Sequence, residues 1–319
     1  MKAPESTVDA RPQVSVVVCT YNRFASLADT LKALAAQRCT DLRWELLVVD
    51  NNSHDGTRCM LAAFRQGHPA LDCRYLFQPE QGLSHARNLG IAEACGELIL
   101  FTDDDVIVSE NWIQTFVDTM RAFGCDACGG YVAPIWEQPP PSWLSDRFHG
   151  FLAIRMDENG PRMLGPRDDP PFGANMGFRR SVFDRLGGFD TALGRKGQAL
   201  AGGEEWDLFH RLQASGGQIV YDPALRVQHK VEAFRLRKGY FRRWRYDASR
   251  GEALRSPTPG RTAFGIPRFL FLQLLRAVLR TLHLHASAPA DVAFRQEMII
   301  WHFLGLMTGN RARSKRSPG

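Results

Sequence analysis

Three consecutive carboxylates, Asp103, Asp104 and Asp105, directly follow the apolar run Leu98 to Thr102. Each raises the proton affinity of the others unless a cation sits among them. A hard divalent ion such as Mg2+ or Mn2+, held partly by a ligand's phosphates, supplies that cation. A solvated acidic turn capping a helix near Glu110 is the other reading. Two further polar clusters end apolar runs in the same way, Thr20-Tyr21-Asn22 and Asp50-Asn51-Asn52. Asp50 has the chemistry to accept hydrogen bonds from a base or ribose, and equally to close a turn. Arg87 and Asn88 sit within GLSHARNLG, from which they can reach a bound anion or face solvent. Glu204, Glu205 and Asp207 follow Gly202-Gly203 at a helix start, where acids are favoured by the helix dipole alone. With Trp206 beside them they also suit a general base next to a stacking platform. His229 ends another apolar stretch, as a ligand or as a buried histidine.

The elements that position these residues are legible. VSVVVC (Val14 to Cys19), WELLVV (Trp44 to Val49), the short run Cys73 to Phe77 and Leu98 to Thr102 read as buried strands. Helical spacing covers Ser26 to Ala36, Thr57 to Arg65 and Ser84 to Cys95 between them. This β-α alternation predicts a doubly wound α/β sheet, with ligands bound beyond the carboxyl ends of the strands. The three polar clusters stand at those ends. Further on, Gly129 to Pro171 holds the Pro-rich, Trp-bearing IWEQPPPSWL, read as a loop on the acceptor side. Short helices are expected at Ser181 to Leu186 and from Glu204 through Leu212, and a last strand at Gln218 to Tyr221.

The chain has 319 residues, 44% hydrophobic, enough for a conventional core, and carries a net charge of +6. The basic excess lies from Arg226 onward, which suggests an anionic contact for that part. Seven cysteines show no secreted-domain framework, so a reducing compartment is expected. Cys125 and Cys128 form a lone CxxC, read as buried small hydrophobes rather than a zinc site. No signal peptide or membrane-spanning run is visible, so a cytosolic location is expected, at most on a membrane surface. Ile266 to Leu284 reads as a basic amphipathic helix, with Arg268, Gln273, Arg276, Arg280 and His283 on one side. It is suited to a membrane interface or to packing with its basic face in water. Ala293 to Met307 adds a second apolar helix. The basic, aromatic run RLRKGYFRRWRYDASRGEA precedes both, and phosphates suit it better than nucleic acid.

Taken together, VSVVVCTYNR, LLVVDNNSHDGT, QGLSHARNLGI, GELILFTDDDV, GANMGFRRSVFDRLGGFD, GGEEWDLFHRL and IVYDPALRVQH resemble the family 2 glycosyltransferases. The resemblance implies the GT-A fold, a Rossmann-like mixed sheet flanked by helices, here with a C-terminal helical extension. It implies a catalytic domain over 14–232; composition and spacing give a flexible tail over 1–13, a basic amphipathic helical region over 233–310 and a flexible basic tail over 311–319. It further implies an inverting, metal-dependent transfer from a nucleoside-diphosphate sugar, a UDP-sugar by preference, in polysaccharide or glycolipid assembly. Thr20, Tyr21, Asp50, Arg87, Asp103 and Asp104 would then hold the donor. Asp105, Asp103 and His229 would hold Mg2+ or Mn2+. Glu205 stands where the family usually has the second, catalytic acid of a Glu-Asp pair, with Glu204 as the other candidate. Asn175, Trp206 and Asp207 would meet the acceptor, a saccharide and by expectation a polyprenyl-diphosphate-linked one. The GGEE run with its late His also looks like transferases that pass glucuronate to lipid-linked glucose. A sugar-phosphate nucleotidyltransferase and a non-catalytic nucleotide-sugar binding module are the competing classes. CTYNRF lacks the Gly-rich phosphate loop of the first, and the full set of acids argues against the second.

Overall fold

The computed structural model describes residues 11–197, 200, 202–256 and 258–315. Its first half alternates as the apolar runs dictate: β1 (Val14–Thr20), α1 (Phe24–Ala35), β2 (Trp44–Asp50), α2 (Thr57–Gly67), β3 (Cys73–Phe77), α3 (Leu83–Glu93) and β4 (Leu98–Asp103). β1 through β4 are parallel, in the spatial order β3-β2-β1-β4. Such strands are covered on both faces, which is why VSVVVC and WELLVV show no alternation. The two faces carry separate apolar clusters, one with Val16, Val18, Leu31 and Leu46, the other with Val17, Leu47, Ile99 and Phe101.

Beyond β4 the sheet turns antiparallel. β5 (Val106–Val108), α4 (Trp112–Phe123), β6 (Ala127–Trp136), β7 (Arg162–Met163), β8 (Met176–Arg179), α5 (Arg180–Leu186), α6 (Glu204–Ala214) and β9 (Ile219–Val231) follow in the chain. The sheet order continues β4-β8-β6-β9-β5, with β7 also on β9. β8 and β6 were not legible in the sequence, and β9 runs well past the short strand expected at 218–221. Glycine permits the close strand contacts here: a Cβ on Gly130 would lie 2.2 Å from the Asp222 carbonyl oxygen. Cys125 and Cys128 are buried in the first apolar cluster.

The chain divides into two compact units, and the division is not the simple one expected at residue 232. One unit comprises residues up to Ala133, Arg155–Ala192 and Glu204–His229; the other comprises Pro134–Ile154, Leu193–Gly203 and the residues from Lys230. The segment read as an acceptor-side loop belongs to the second unit. Its Trp143 meets Phe148, Phe241 and Phe294 edge-on at 4.9–5.8 Å between ring centres, an arrangement aromatic pairs favour. The basic, aromatic run forms α7 (Lys238–Arg255). A short hairpin of β10 (Thr262–Ala263) and β11 (Ile266–Pro267) leads into α8 (Arg268–Ser287) and α9 (Ala290–Ser314). α7 and α9 touch backbone to backbone, since a Cβ on Gly305 would lie 2.5 Å from the Tyr246 carbonyl oxygen. α9 continues through Ser314, so residues 311–314 are helical where a tail was expected. The segments 1–10 and 316–319 of the expected tails lie outside the described residues.

Candidate active site

Register brings the three polar strand ends level. Thr20 pairs with Asp50 across β1 and β2, and Cys19 pairs with Asp103 across β1 and β4. The loops beyond them are stitched together by asparagines of those same clusters, to which the sequence reading gave no individual role. Asn22, at φ +53, accepts a hydrogen bond from the His54 backbone N–H at 2.7 Å, and its own N–H donates to Ser53 Oγ. Asn51 donates to the carbonyls of Gln78 and Glu80 and accepts from the Gly82 N–H. Asp50 is buried and accepts from the Ser53 N–H at 2.9 Å and the Tyr75 hydroxyl at 3.0 Å. The turn role allowed for Asp50 is therefore present. Tyr21, just past the end of β1, is half-buried.

β4 ends at Asp103, a tight turn carries Asp104 and Asp105, and β5 starts at Val106. β5 pairs antiparallel with β9, with Val106 opposite His229. That register sets His229 Nε2 3.3 Å from Asp105 Oδ2, both residues buried. Asp104 accepts from the Thr20 hydroxyl at 2.7 Å. The guanidinium of Arg23 lies 3.2 Å from Asp104 and 2.8 Å from Asp105. Burial pushes the Asp104 carboxyl up to about 7, with the Asp105 charge adding to it and Arg23 opposing. Arg23 was missed in the sequence, although it stands only three residues past the end of β1. An arginine at a strand end facing an acidic triplet was the available signal.

The second half of the site hangs on Arg87, projected from α3 and 3% exposed. Its guanidinium meets Glu204 Oε1 at 2.8 Å and Asp103 Oδ1 at 3.5 Å, and lies over the Phe189 ring at 5.3 Å. Gly173 makes room for it: a Cβ there would come within 2.2 Å of Arg87 Nη2. Arg87 thus links the triplet to the start of α6. Glu204 is 2% exposed, and its Oε2 is buried without a hydrogen-bond partner. Glu205 is half-buried overall, but its own Oε2 is likewise shut off and unpartnered. Burial, then the neighbouring Glu204 charge, raises the Glu205 carboxyl to about 8, against the pull of Arg87. A carboxyl so placed is poised to take up a proton near neutral pH.

Other expectations move. Asn175, expected at the acceptor, is fully buried. It accepts from Trp112 Nε1 and donates to the carbonyls of Tyr131 and Leu225, so its amide is consumed in tying α4, β6 and β9 together. Asp207 pairs with Arg211 at 2.8 Å, one turn on, and Arg211 in turn holds the carbonyls of Leu186 and Gly188. Asn88 clamps both backbone polar groups of Phe189. Trp206 is 39% exposed and near His210.

The carboxylates of Asp103, Asp104, Asp105, Glu204 and Glu205 outnumber the guanidiniums of Arg23 and Arg87, so the cluster has room for added positive charge. Asp105 and His229 are an oxygen and a nitrogen donor side by side. Among the described residues no group of three or more His, Cys, Asp or Glu side chains is gathered tightly enough to hold a metal by itself. The donor set therefore fits an ion shared with a ligand's phosphates, not a closed protein cage.

A parallel half-sheet with polar strand ends, an antiparallel extension and an acidic crevice define the GT-A class of glycosyltransferases. The chain belongs to glycosyl transferase family 2, whose family model matches residues 15–187. The glucosyl-dolichyl phosphate glucuronosyltransferase of Haloferax volcanii is 30% identical over 70% of this chain and 71% of its own length. The succinoglycan biosynthesis protein ExoM of Rhizobium meliloti is 30% identical over 77% of each chain. Among solved structures, the mannosyltransferase PcManGT from Pyrobaculum calidifontis, in complex with GDP-Man and Mn2+, has TM-score 0.61 at 19% identity. It matches over 96% of this chain and 89% of its own. The S. aureus TarS fragment 1-349 with UDP-GlcNAc has TM-score 0.53 at 16% identity, over 92% and 71%.

Proposed function

We propose that this glycosyltransferase moves a sugar, with inversion, from a UDP-sugar to a lipid-linked saccharide in surface polysaccharide or glycolipid assembly, using Mg2+ or Mn2+. One observation carries the reading. Arg87 bridges Asp103, on the side of the triplet, to Glu204, whose neighbour Glu205 keeps an unpartnered oxygen and a raised pKa. Diphosphate chemistry and proton removal are thereby joined through one guanidinium.

Glu205 is the base of choice, because Glu204 is already committed to Arg87. Glu205 Oε2 accepts the acceptor hydroxyl proton as that oxygen attacks the anomeric carbon from the face opposite the leaving group. The bond to the nucleoside diphosphate breaks in the same displacement, so an α-linked donor gives a β-linked product. Arg23 and Arg87 supply positive charge toward the departing diphosphate. Asp105 and His229, with Asp103 alongside, would hold the divalent ion, which when bound neutralises diphosphate charge. Thr20, Tyr21 and Asp50 line the level strand ends and are assigned to the nucleoside side. Trp206 is assigned to the acceptor; Asn175 and Asp207 support the frame that presents it.

Similarity to a glucuronosyltransferase named for a glucosyl-dolichyl phosphate supports an acceptor of the polyprenyl-phosphate type, and a hexuronate as the transferred sugar. Similarity to a succinoglycan biosynthesis protein supports a role in polysaccharide assembly. Such an acceptor lies at a membrane. No described helix is long and apolar enough to cross one; the attachment in this reading is peripheral, by expectation on the cytoplasmic face.

The test is a panel of UDP- and GDP-sugars offered with a polyprenyl-diphosphate glucoside, with EDTA and after Mn2+ is restored. Transfer from one UDP-sugar, lost in EDTA and in Asp105→Ala, with an inverted linkage by NMR, is the expected result. Transfer undiminished by the chelator, or with retained configuration, overturns the reading.

A further inference from the structure

α8 packs on its neighbours along a narrow strip. Leu270, Ala277 and Thr281 are buried, and Leu270 joins Ile266, Ala253, Leu306 and Met307 in a small core. Leu274 packs against the same core and Gln273, Val278 and Leu284 are half-buried, but much of the remaining helix is turned outward, including side chains that ordinarily avoid water. Leu272, Leu275, Leu279 and Leu282 are 49–64% exposed. At 3.6 residues per turn they fall within one arc of about 80°. Arg276, Arg280 and His283 occupy the adjoining arc, all exposed. Of the basic side expected from the sequence, Arg276, Arg280 and His283 lie together, while Arg268 falls within the leucine arc at the helix start and Gln273 is half-buried. An unburied leucine stripe runs beside the basic arc.

A second feature of the same unit has the same character. The β10–β11 hairpin leads straight into α8, and its turn presents Phe264, 89% exposed, at φ +54. An aromatic residue in the left-handed region carries strain, and here no burial compensates for it. An extended apolar stripe and an outward phenylalanine, rimmed by cations, are unusual for a surface that stays in water.

The charge pattern selects the occupant. α8 contains no Asp or Glu. The acids of α9, Asp291 and Glu297, are engaged by Arg147 and Arg242. A second copy using the same face would bring one basic arc up to another with no acid of α8 to answer it, because a two-fold interface uses the same patch on both copies. An anionic lipid surface answers both halves, taking leucine and phenylalanine into the acyl boundary and arginine among the headgroups. We propose that α8 and the Phe264 turn form a docking surface for anionic membranes, with α8 lying in the interface. This deepens, and rests on, the membrane-linked acceptor proposed above.

Vesicle binding is read without donor or acceptor, so its failure and a failure of sugar transfer are separate results. The full-length protein is sedimented with phosphatidylcholine vesicles, with and without phosphatidylglycerol. Binding is expected only with phosphatidylglycerol and is weakened by salt. Leu275→Gln with Leu279→Gln lowers the partition coefficient about a hundredfold. Each of Arg276→Gln and Arg280→Gln lowers it about fivefold. Phe264→Asn also weakens binding, and it keeps the fold because asparagine tolerates positive φ; far-ultraviolet circular dichroism and melting curves check every variant. A wild-type protein that stays in the supernatant overturns the proposal. So does binding indifferent to phosphatidylglycerol or to the leucine and Phe264 changes, or a dimer by light scattering that the leucine changes abolish.

Discussion

Glu205 should govern the pH dependence of catalysis, and the structure sets where and in which direction. Its carboxyl is raised to about 8, first by burial and then by the Glu204 charge. A base acts only when deprotonated, so activity must fall on the acid side of that value. At pH 7 about one-tenth of free enzyme carries the carboxylate, and at pH 6 about one-hundredth. The kcat/KM profile, which reports the free enzyme, should therefore climb about tenfold per pH unit and level off near pH 8. Two substitutions separate the causes. Glu205→Gln removes the base, and a loss of about 10²- to 10⁴-fold follows, with no acid limb left. Glu204→Gln removes the neighbouring charge yet keeps an oxygen for Arg87, so the limb shifts to lower pH. The assay is initial-rate transfer across pH 5.5 to 9 with donor and Mn2+ held constant, range chosen to bracket about 8. A flat profile through neutrality would falsify the assignment, as would a limb unmoved by Glu204→Gln or one surviving in Glu205→Gln.

The same proton links to stability. The folded pKa of Glu205, about 8, lies above the ordinary value of 4.5. Its contribution is therefore full below about pH 4.5 and lost as pH rises through about 8; Glu205→Gln should remove that slope from urea midpoints measured across the window. Arg87→Ala leaves Glu204 buried without its partner, and a loss of about 3–5 kcal/mol in urea unfolding is expected, against little change if the pair were solvated. Gly130→Ala forces a methyl within 2.2 Å of a backbone oxygen and should cost about 3 kcal/mol; a near-neutral melting temperature would refute the close contact.

Much of the first unit was legible because its determinants are local. A buried parallel strand must be apolar on both faces, so VSVVVC, WELLVV and LILFT announce themselves. Polar residues at their carboxyl ends have no packing reason to be there, which singled out Thr20, Asp50 and Asp103 before any fold was in view. The C-terminal helices were also expected, α8 from its helical spacing and α9 from its apolar run. α7 was not, because basic and aromatic residues crowd every side of it and leave no clean stripe.

What the tertiary structure decided are partnerships between residues far apart in sequence. That His229 meets Asp105 follows from the β5–β9 register, and β9 is a long strand whose Asp222-Pro223 step disguises its continuity. That Glu204 rather than Glu205 holds Arg87 depends on how α6 approaches α3, 117 residues away in the chain. Asn175 is a single amide in the run FGANMGF, where nothing local marks its role; its hydrogen-bond partners, Trp112, Tyr131 and Leu225, come from three elements that only the fold assembles. Composition placed an acidic triplet at the end of a strand. Which acid faces histidine, which faces Arg23 and which carboxyl stands free to take a proton are consequences of packing, since hydrogen bonds and ion pairs form between neighbours in space and no local pattern specifies those.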